Sequence, residues 1–383
     1  MLNGLFKKYA IGALAGTLAL GVAGALALQS PALAKDPPYK IYLSMSYVGN
    51  DWQTESGNVV RAMAAAHSDK VKFEAQVAGT DAQKQIQQIN AMVQSGADAI
   101  VMFPISPTAL NATIKNACAK GVKIFAYEAA VTEPCAYNLT IDEHAVGEKT
   151  AEWLVKAMNG KGNLVLVTGV PGTSTDTLRT DAAMEVFKKY PDIHIIANVV
   201  GMWSEATARS ELSKVLATHA WKDIDGLWMQ VGCLAADSME DEAGVADKDK
   251  RPCVGEGTNG HRIQMLPTDD KEVDGAHDTY RPMGVRSISY AAPLYQGGLQ
   301  LKNALALLES GKEVEHNAFA PLPLVTNDNV KLCKAGSWKE MADGCNVFQP
   351  SLITNPAWFS SIYSADTPEI GVNAALKGEP EPK

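Results

Sequence analysis

The chain lacks several features that mark common classes of protein. Positive charge is in deficit, because 34 lysines and arginines stand against 43 aspartates and glutamates, for a formal net charge of -9. Nucleic acid and anionic membrane surfaces are bound by clustered cations, so this balance argues against both as partners. No GxSxG turn or HExxH helix occurs, and the seven histidines show no metal-ligand spacing. We therefore expect neither an enzyme nor a metal or cofactor.

Long apolar runs are absent after the N-terminus. There, two lysines precede an apolar run at residues 9–28, and an Ala-Leu-Ala site ends at Ala34. This order is typical of a cleaved secretory signal peptide, so we expect residues 1–34 to be removed and a mature chain to begin near Lys35. A membrane anchor is the alternative, because the run is long enough to cross a bilayer. Export predicts a periplasmic protein.

Cysteine is scarce, and its six residues fall into three close pairs. The pairs are Cys118 with Cys135, Cys233 with Cys253, and Cys333 with Cys345. A zinc site is the alternative to disulfides, but no CxxC or CxxH spacing occurs. An exported chain meets an oxidising compartment, which favours disulfides. Six cysteines allow many connectivities, so pairing between neighbours is a hypothesis.

Short apolar strands alternate with amphipathic helices along the rest of the chain. Residues 83–107 show one such unit, in which helical apolar spacing ends at Gly96 and an unbroken apolar run follows at 99–103. Further strands are predicted at residues 40–45, 71–75, 122–127, 138–141, 163–168, 194–199, 226–229 and 286–290. Repeated strand-helix units predict an α/β protein with doubly wound parallel sheets, and the two sets predict two similar lobes.

Aromatic and polar side chains collect where these strands end, which is where such sheets bind ligands. They are Tyr47, Asn50, Trp52, Glu128, Asp142, Arg179, Trp203, Gln230, Glu256 and Tyr290. An aromatic ring stacks on the C–H face of a sugar, and charged groups fix its hydroxyls through hydrogen bonds. The pattern favours a small sugar or polyol. As alternatives, the two tryptophans pack on lobe surfaces, and Asp142 caps a helix.

These segments resemble periplasmic sugar-binding proteins of the ribose-binding (type I) family, which serve ABC importers. The resemblance covers roughly residues 40–312. It is carried by Ser46 with Asn50-Asp51-Trp52, Gln83 with Phe103-Pro104, Gly169 with Gly172-Thr173-Ser174 and Arg179, Val254-Gly255-Glu256-Gly257, and Ile288 with Gln296-Gly297. It implies two doubly wound lobes joined by a hinge. The implied first lobe is 39–141 plus 291–322, the second is 142–290, and 323–383 is an extension packing on the lobes.

The resemblance also implies roles for single residues. Trp52 and Trp203 match the aromatics that face each other across the sugar. The polar ligands that the match implies are Asn50, Glu128, Arg179 and Glu256. The chain departs from the family pattern at three places, where Glu256 replaces Asp, Val231-Gly232 replace Asn-Asp, and Tyr290 replaces a frequent Gln near the hinge.

A monomeric receptor without catalytic activity is the implied function. It captures a small sugar or polyol and delivers it to an ABC permease in the inner membrane. A chemoreceptor or sensor kinase is the alternative partner, and a non-sugar polar solute is the alternative ligand.

Overall fold

Two six-stranded sheets with helices packed against them form the body of the protein. The structure is a computed structural model that describes residues 35–290 and 292–381. The predicted signal peptide at residues 1–34 lies outside this part of the chain. Among the helices of the described ranges, none is long and apolar enough to cross a membrane.

The first sheet is parallel throughout. Its strands are β1 (Tyr39–Met45), β2 (Val71–Val77), β3 (Ala99–Phe103), β4 (Lys123–Tyr127), β5 (Tyr137–Thr140) and β11 (Asn317–Phe319). Across the sheet their order is β11-β5-β4-β3-β1-β2. Alternate residues of β3 pack into two separate hydrophobic clusters, one on each face of the sheet. The unbroken apolar run therefore marks a strand that is covered on both faces, as the sequence predicts.

The second sheet repeats this arrangement. Its strands are β6 (Gly162–Thr168), β7 (Ile193–Val200), β8 (Gly226–Met229), β9 (Cys253–Glu256), β10 (Ser287–Tyr290) and β12 (Val325–Thr326). Their order is β12-β10-β9-β8-β6-β7, and only β12 pairs antiparallel. Without the edge strands β11 and β12, both sheets have the same strand order relative to the chain. The prediction of two similar doubly wound lobes is confirmed.

Helices connect the strands, and several of them begin at polar caps. They are α1 (Asp51–Ala66), α2 (Ala82–Gln94), α3 (Asn111–Ala119), α4 (Glu143–Ala157), α5 (Ser174–Phe187), α6 (Glu205–Leu216), α7 (Cys233–Glu242), α8 (Asn259–Met265), α9 (Gln296–Ser310), α10 (Trp338–Ala342) and α11 (Val372–Lys377). Asn50 caps α1 and Thr173 caps α5 by accepting backbone N–H groups. These caps satisfy donors that have no partner within the helix.

The chain passes between the lobes three times. The passages lie between β5 and α4, between β10 and α9, and between β11 and β12, because α4 packs on the second sheet and α9 on the first. The remaining chain adds a small sheet of β13 (Leu332–Cys333) and β14 (Val347–Phe348). The last helix of this remaining chain, α11, packs against α1 of the first lobe. The residue boundaries of the lobes and of the extension stay predictions.

Three disulfides join the cysteines that are neighbours in the sequence. Cys118–Cys135 links the last turn of α3 to the loop before β5. Cys233–Cys253 links the start of α7 to the start of β9, and the third disulfide closes the small sheet. The hypothesis of neighbour pairing is confirmed, and it leaves no free cysteine in the described part of the chain.

We expect reduction of these disulfides to lower the melting temperature of the protein. A disulfide restricts the unfolded chain, and its loss typically costs about 2–4 kcal/mol. Thermal unfolding with and without dithiothreitol measures the effect. A double variant, Cys333→Ala with Cys345→Ala, separates the small sheet from the two lobes. Identical melting curves in both conditions would contradict the expectation.

Candidate functional site

A narrow cavity lies between the two lobes, at the carboxyl ends of both sheets. Six residues that the sequence predicts as ligand contacts line it: Asn50, Trp52, Glu128, Arg179, Trp203 and Glu256. The remaining lining residues are Gln53, Phe103 and Thr175. The first lobe supplies side chains after β1 and β4 and at the end of β3, and the second lobe supplies them after β6 and β7 and at the end of β9. Parallel strands thus bring distant segments to one place.

Two tryptophans line the cavity, one from each lobe. The Nε1 of Trp52 donates to the backbone oxygen of Ala292 at 3.0 Å, and its ring lies 5.8 Å from that of Phe103. The Nε1 of Trp203 donates to the Oε1 of Gln230 at 2.6 Å. Both N–H groups are therefore satisfied by the protein, so the rings are held in place without a ligand.

A glycine is required at position 169, where the indole ring of Trp203 packs against the backbone. A Cβ atom at Gly169 would lie only 2.1 Å from the Nε1 of Trp203, so the backbone after β6 is in direct contact with the indole. Trp203 and Met202 themselves have positive φ angles of 51° and 56°. Non-glycine residues rarely adopt this left-handed conformation, and strained residues of this kind cluster at functional sites.

Asn50 connects the lobes across the cavity. Its Oδ1 accepts the backbone N–H of Gln53 at 3.0 Å, which caps α1. Its Nδ2 donates to the backbone oxygen of Trp203 in the second lobe at 2.7 Å. A single side chain thus fixes both a helix terminus and the opposite loop, and the structure shows the lobes closed on each other.

Arg179 lies at the centre of a buried ionic cluster, with 1% of its side chain exposed. Its Nε donates to the Oε2 of Glu143 at 2.5 Å, and its Nη2 donates to the Oε1 of Glu128 at 3.0 Å. Its Nη1 donates to the Tyr290 hydroxyl at 3.2 Å and lies 3.6 Å from the Oε1 of Glu256. One guanidinium therefore joins carboxylates from both lobes.

A close helix contact positions this cluster. A Cβ at Gly147 in α4 would lie 2.1 Å from the backbone oxygen of Arg179 in α5, so the two helices approach more closely than a larger residue allows. Glu143, one turn before this glycine, is thereby held beside the guanidinium. On the opposite side, Gln296 donates to the Oε2 of Glu128 at 2.6 Å. Glu128 itself has a positive φ of 60°.

Burial dominates the acid–base properties of the three glutamates. Loss of solvation raises the pKa of Glu128, even though Arg179 and Gln296 favour its charged form. It raises the pKa of Glu143 well above the ordinary value and that of Glu256 to about 7, with Arg179 acting against both shifts. Because one arginine serves three carboxyl groups, not all of them are compensated.

Four predicted residues lie outside the cavity lining. Gln230 and Tyr290 lie behind it, since the Tyr290 hydroxyl donates to the backbone oxygen of Gln230 at 3.0 Å. Tyr47 packs its ring over Gly49 and against the large hydrophobic cluster. Asp142 accepts the backbone N–H of Ala145 at 2.9 Å and caps α4, which was the alternative explanation. It lines a neighbouring cavity that also contacts the ionic cluster.

The structure also brings to the site four residues that the sequence analysis did not predict as ligand contacts. Gln53, Phe103 and Thr175 line the cavity, and Glu143 pairs with Arg179. Phe103 ends a predicted strand, so its position was a usable signal. Gln53 and Thr175 occupy first turns of helices, where a polar residue is usually exposed. Direct ligand contact by any residue of the site stays a prediction.

Comparison with known proteins identifies the same class of fold. A crystal structure of an ABC transporter solute binding protein from Thermobispora bispora aligns with a TM-score of 0.64 and 25% identity, over 77% of this chain and 87% of that one. A galactofuranose binding protein aligns with a TM-score of 0.65 and 18% identity, over 76% and 96%. The predicted type I periplasmic binding protein fold is confirmed.

One relative is named the xylitol-binding protein of Mycolicibacterium smegmatis, and the chain is 26% identical to it over 263 residues. The match covers 66% of this chain and 68% of that protein. For the next two relatives compared, the match covers only 61% and 58% of their length. These relatives are binding proteins, which supports the prediction that the protein is not an enzyme. The family model described as a periplasmic binding protein domain matches residues 41–313, and the chain therefore belongs to that family.

Proposed function

We propose that the protein is an exported receptor that captures a small sugar or polyol between its lobes and delivers it to an ABC importer. The ligand enters while the lobes are apart and is enclosed when they close, as in other two-lobed receptors. The names of the relatives support the ligand class, since one binds xylitol and two others are named for D-xylose and for multiple sugars. A periplasmic location, a monomeric state and a permease partner are parts of this proposal.

One observation carries the proposal. Trp52 of the first lobe and Trp203 of the second line the same cavity, together with charged groups from both lobes. Aromatic rings pack against the C–H faces of a sugar, while arginine and carboxylate groups bind its hydroxyls in defined directions. The contact from Asn50 to the backbone of Trp203 joins the lobes beside this cavity. Ligand binding and lobe closure therefore involve the same residues.

A thermal-shift screen of the protein beginning at Lys35 tests this function. The panel contains pentoses, hexoses, polyols and amino acids. A ligand that binds only the folded state stabilises it by about 2.7 kcal/mol at a hundredfold excess over its dissociation constant. We expect a selective rise in melting temperature with one sugar or polyol. A rise with an amino acid alone, and with no sugar, would overturn the ligand class.

A further inference from the structure

The cavity carries more negative than positive charge. Glu128, Glu256 and Arg179 line it, and Glu143 contacts the arginine from behind. In the described part of the chain, Arg179 is the only cationic side chain of the lining. The next buried arginine, Arg262 in α8, donates to hydroxyl and backbone oxygens; it forms no salt bridge within the described residues, although its charge interacts with that of Glu256. A buried carboxylate without a cation is costly, so the excess of carboxylates in the cluster favours a further positive group.

Among the described residues, several buried oxygens at the site have no hydrogen-bond partner. The Oε1 of Gln53 and the Oγ1 of Thr175 have no partner within residues 35–290 and 292–381, although each side chain is 2% exposed and lines the cavity. The Oε1 of Glu143 is also buried without a partner in that part of the chain. These are acceptors, or in Thr175 a hydroxyl that accepts as well as donates. A ligand can satisfy these oxygens by donating hydrogen bonds to them.

Several donors of the site are used by the protein itself. Each nitrogen of Arg179 donates one hydrogen bond to a side-chain oxygen of the cluster, which uses three of its five N–H groups. The indole N–H groups of Trp52 and Trp203 donate to protein oxygens, and the Nδ2 of Asn50 donates across the lobes. The excess of carboxylates and the unpartnered oxygens therefore favour a ligand that brings hydrogen-bond donors and positive charge. An ammonium group supplies three donors, no acceptor and one positive charge.

We propose that the ligand is an amino sugar or amino polyol, whose protonated amine pairs with Glu128 and Glu256 while its hydroxyls reach Gln53 and Thr175. This proposal rests on the proposed function and narrows its ligand class. The pKa of Glu256, raised by burial to about 7, agrees with it. A bound ammonium group would favour the charged form of this carboxyl.

Matched pairs of ligands test the proposal by isothermal titration calorimetry at pH 7.5. Suitable pairs are glucose with glucosamine, galactose with galactosamine, and xylitol with 1-amino-1-deoxyxylitol. We expect the amine to bind at least tenfold more tightly than its neutral counterpart in at least one of these pairs. N-acetylation of that amine removes its charge and should cancel the advantage.

Variants test which carboxylate causes the preference for the amine over its neutral counterpart. Glu256→Gln should reduce the affinity for the amine at least tenfold more than it reduces the affinity for the neutral counterpart; Glu128→Gln serves the same purpose if the first variant does not fold. Glu240→Gln is the matched control, because Glu240 is a buried carboxylate that pairs with Arg251 away from the cavity. It should leave both affinities unchanged.

The possible results distinguish a failure of this inference from a failure of the proposed function. Binding of a neutral sugar or polyol that equals or exceeds binding of its amine overturns the inference and leaves the sugar receptor standing. An amine preference that persists unchanged in Glu256→Gln and Glu128→Gln also overturns it. Absence of binding by every sugar, polyol and amine overturns both proposals.

Discussion

Replacing Arg179 with methionine is expected to abolish measurable ligand binding and to lower the free energy of unfolding by about 3–5 kcal/mol. Methionine keeps much of the apolar stem but removes the guanidinium. The carboxyl groups of Glu128, Glu143 and Glu256 then share a buried site with no cation among its lining residues. Urea unfolding measures the stability, and calorimetry with the ligand found in the screen measures the binding.

A surface ion pair provides the matched control. Arg209 pairs with Glu242 where both side chains are substantially exposed, so Arg209→Met should change the stability by less than about 1 kcal/mol. Adding Glu143→Gln to Arg179→Met should recover part of the lost stability, because it removes one of the repelling carboxylates. If Arg179→Met is as stable as the wild type, the glutamates are held neutral by protons and the arginine does not stabilise the fold.

Much of the site was predictable because parallel strands end at one edge of a sheet. Trp52, Glu128, Trp203 and Glu256 were predicted from their positions after or at the ends of apolar runs, and the structure brings all four to the cavity. The same rule predicted that Tyr47 contacts the ligand, but in the structure its ring packs over Gly49 and does not line the cavity. The rule identifies the edge of the sheet, whereas rotamers and loop packing decide which side chains reach the cavity.

The partners of Arg179 depend on packing that no local pattern shows. Glu143 reaches the guanidinium because α4 and α5 approach closely at Gly147. Sequence spacing indicates that two helices exist, but not the distance between them. The adjacent Asp142 has the same chemistry and instead caps the helix. Only the three-dimensional contact distinguishes the two neighbouring acids.

The C-terminal extension was the part least readable from the sequence, because its strands have two residues each and its helices are short. Its contacts reach both lobes. The backbone N–H of Phe359 donates to the buried Glu55 of α1 at 3.0 Å, and that of Ser360 donates to the backbone oxygen of Gly257 at 3.1 Å. These bonds pair single groups from distant segments, and such pairs have no periodicity in the sequence.

Trp203→Ala is expected to weaken ligand binding by about 2 kcal/mol or more, as truncation of a central aromatic residue does. The substitution removes the second-lobe ring from the cavity and leaves the Oε1 of Gln230 without its donor. The backbone oxygen that accepts from Asn50 is retained. Lobe closure thus keeps one of its contacts, and a loss of affinity reports on the ring. Calorimetry with the ligand from the screen measures the change.

Trp203→Phe separates the two roles of this side chain. Phenylalanine keeps an aromatic face but has no N–H for Gln230, whose Nε2 donates to Asp176 at 2.8 Å behind the cavity. If stacking dominates, Phe retains most of the affinity that Ala loses. If the two variants lose equally, the indole N–H acts by holding Gln230, and the ring is not a sugar platform. Trp228→Phe, at a buried tryptophan that donates to Thr150 within the second lobe, controls for the general cost of the exchange. Unchanged affinity in Trp203→Ala would remove this residue from the binding site.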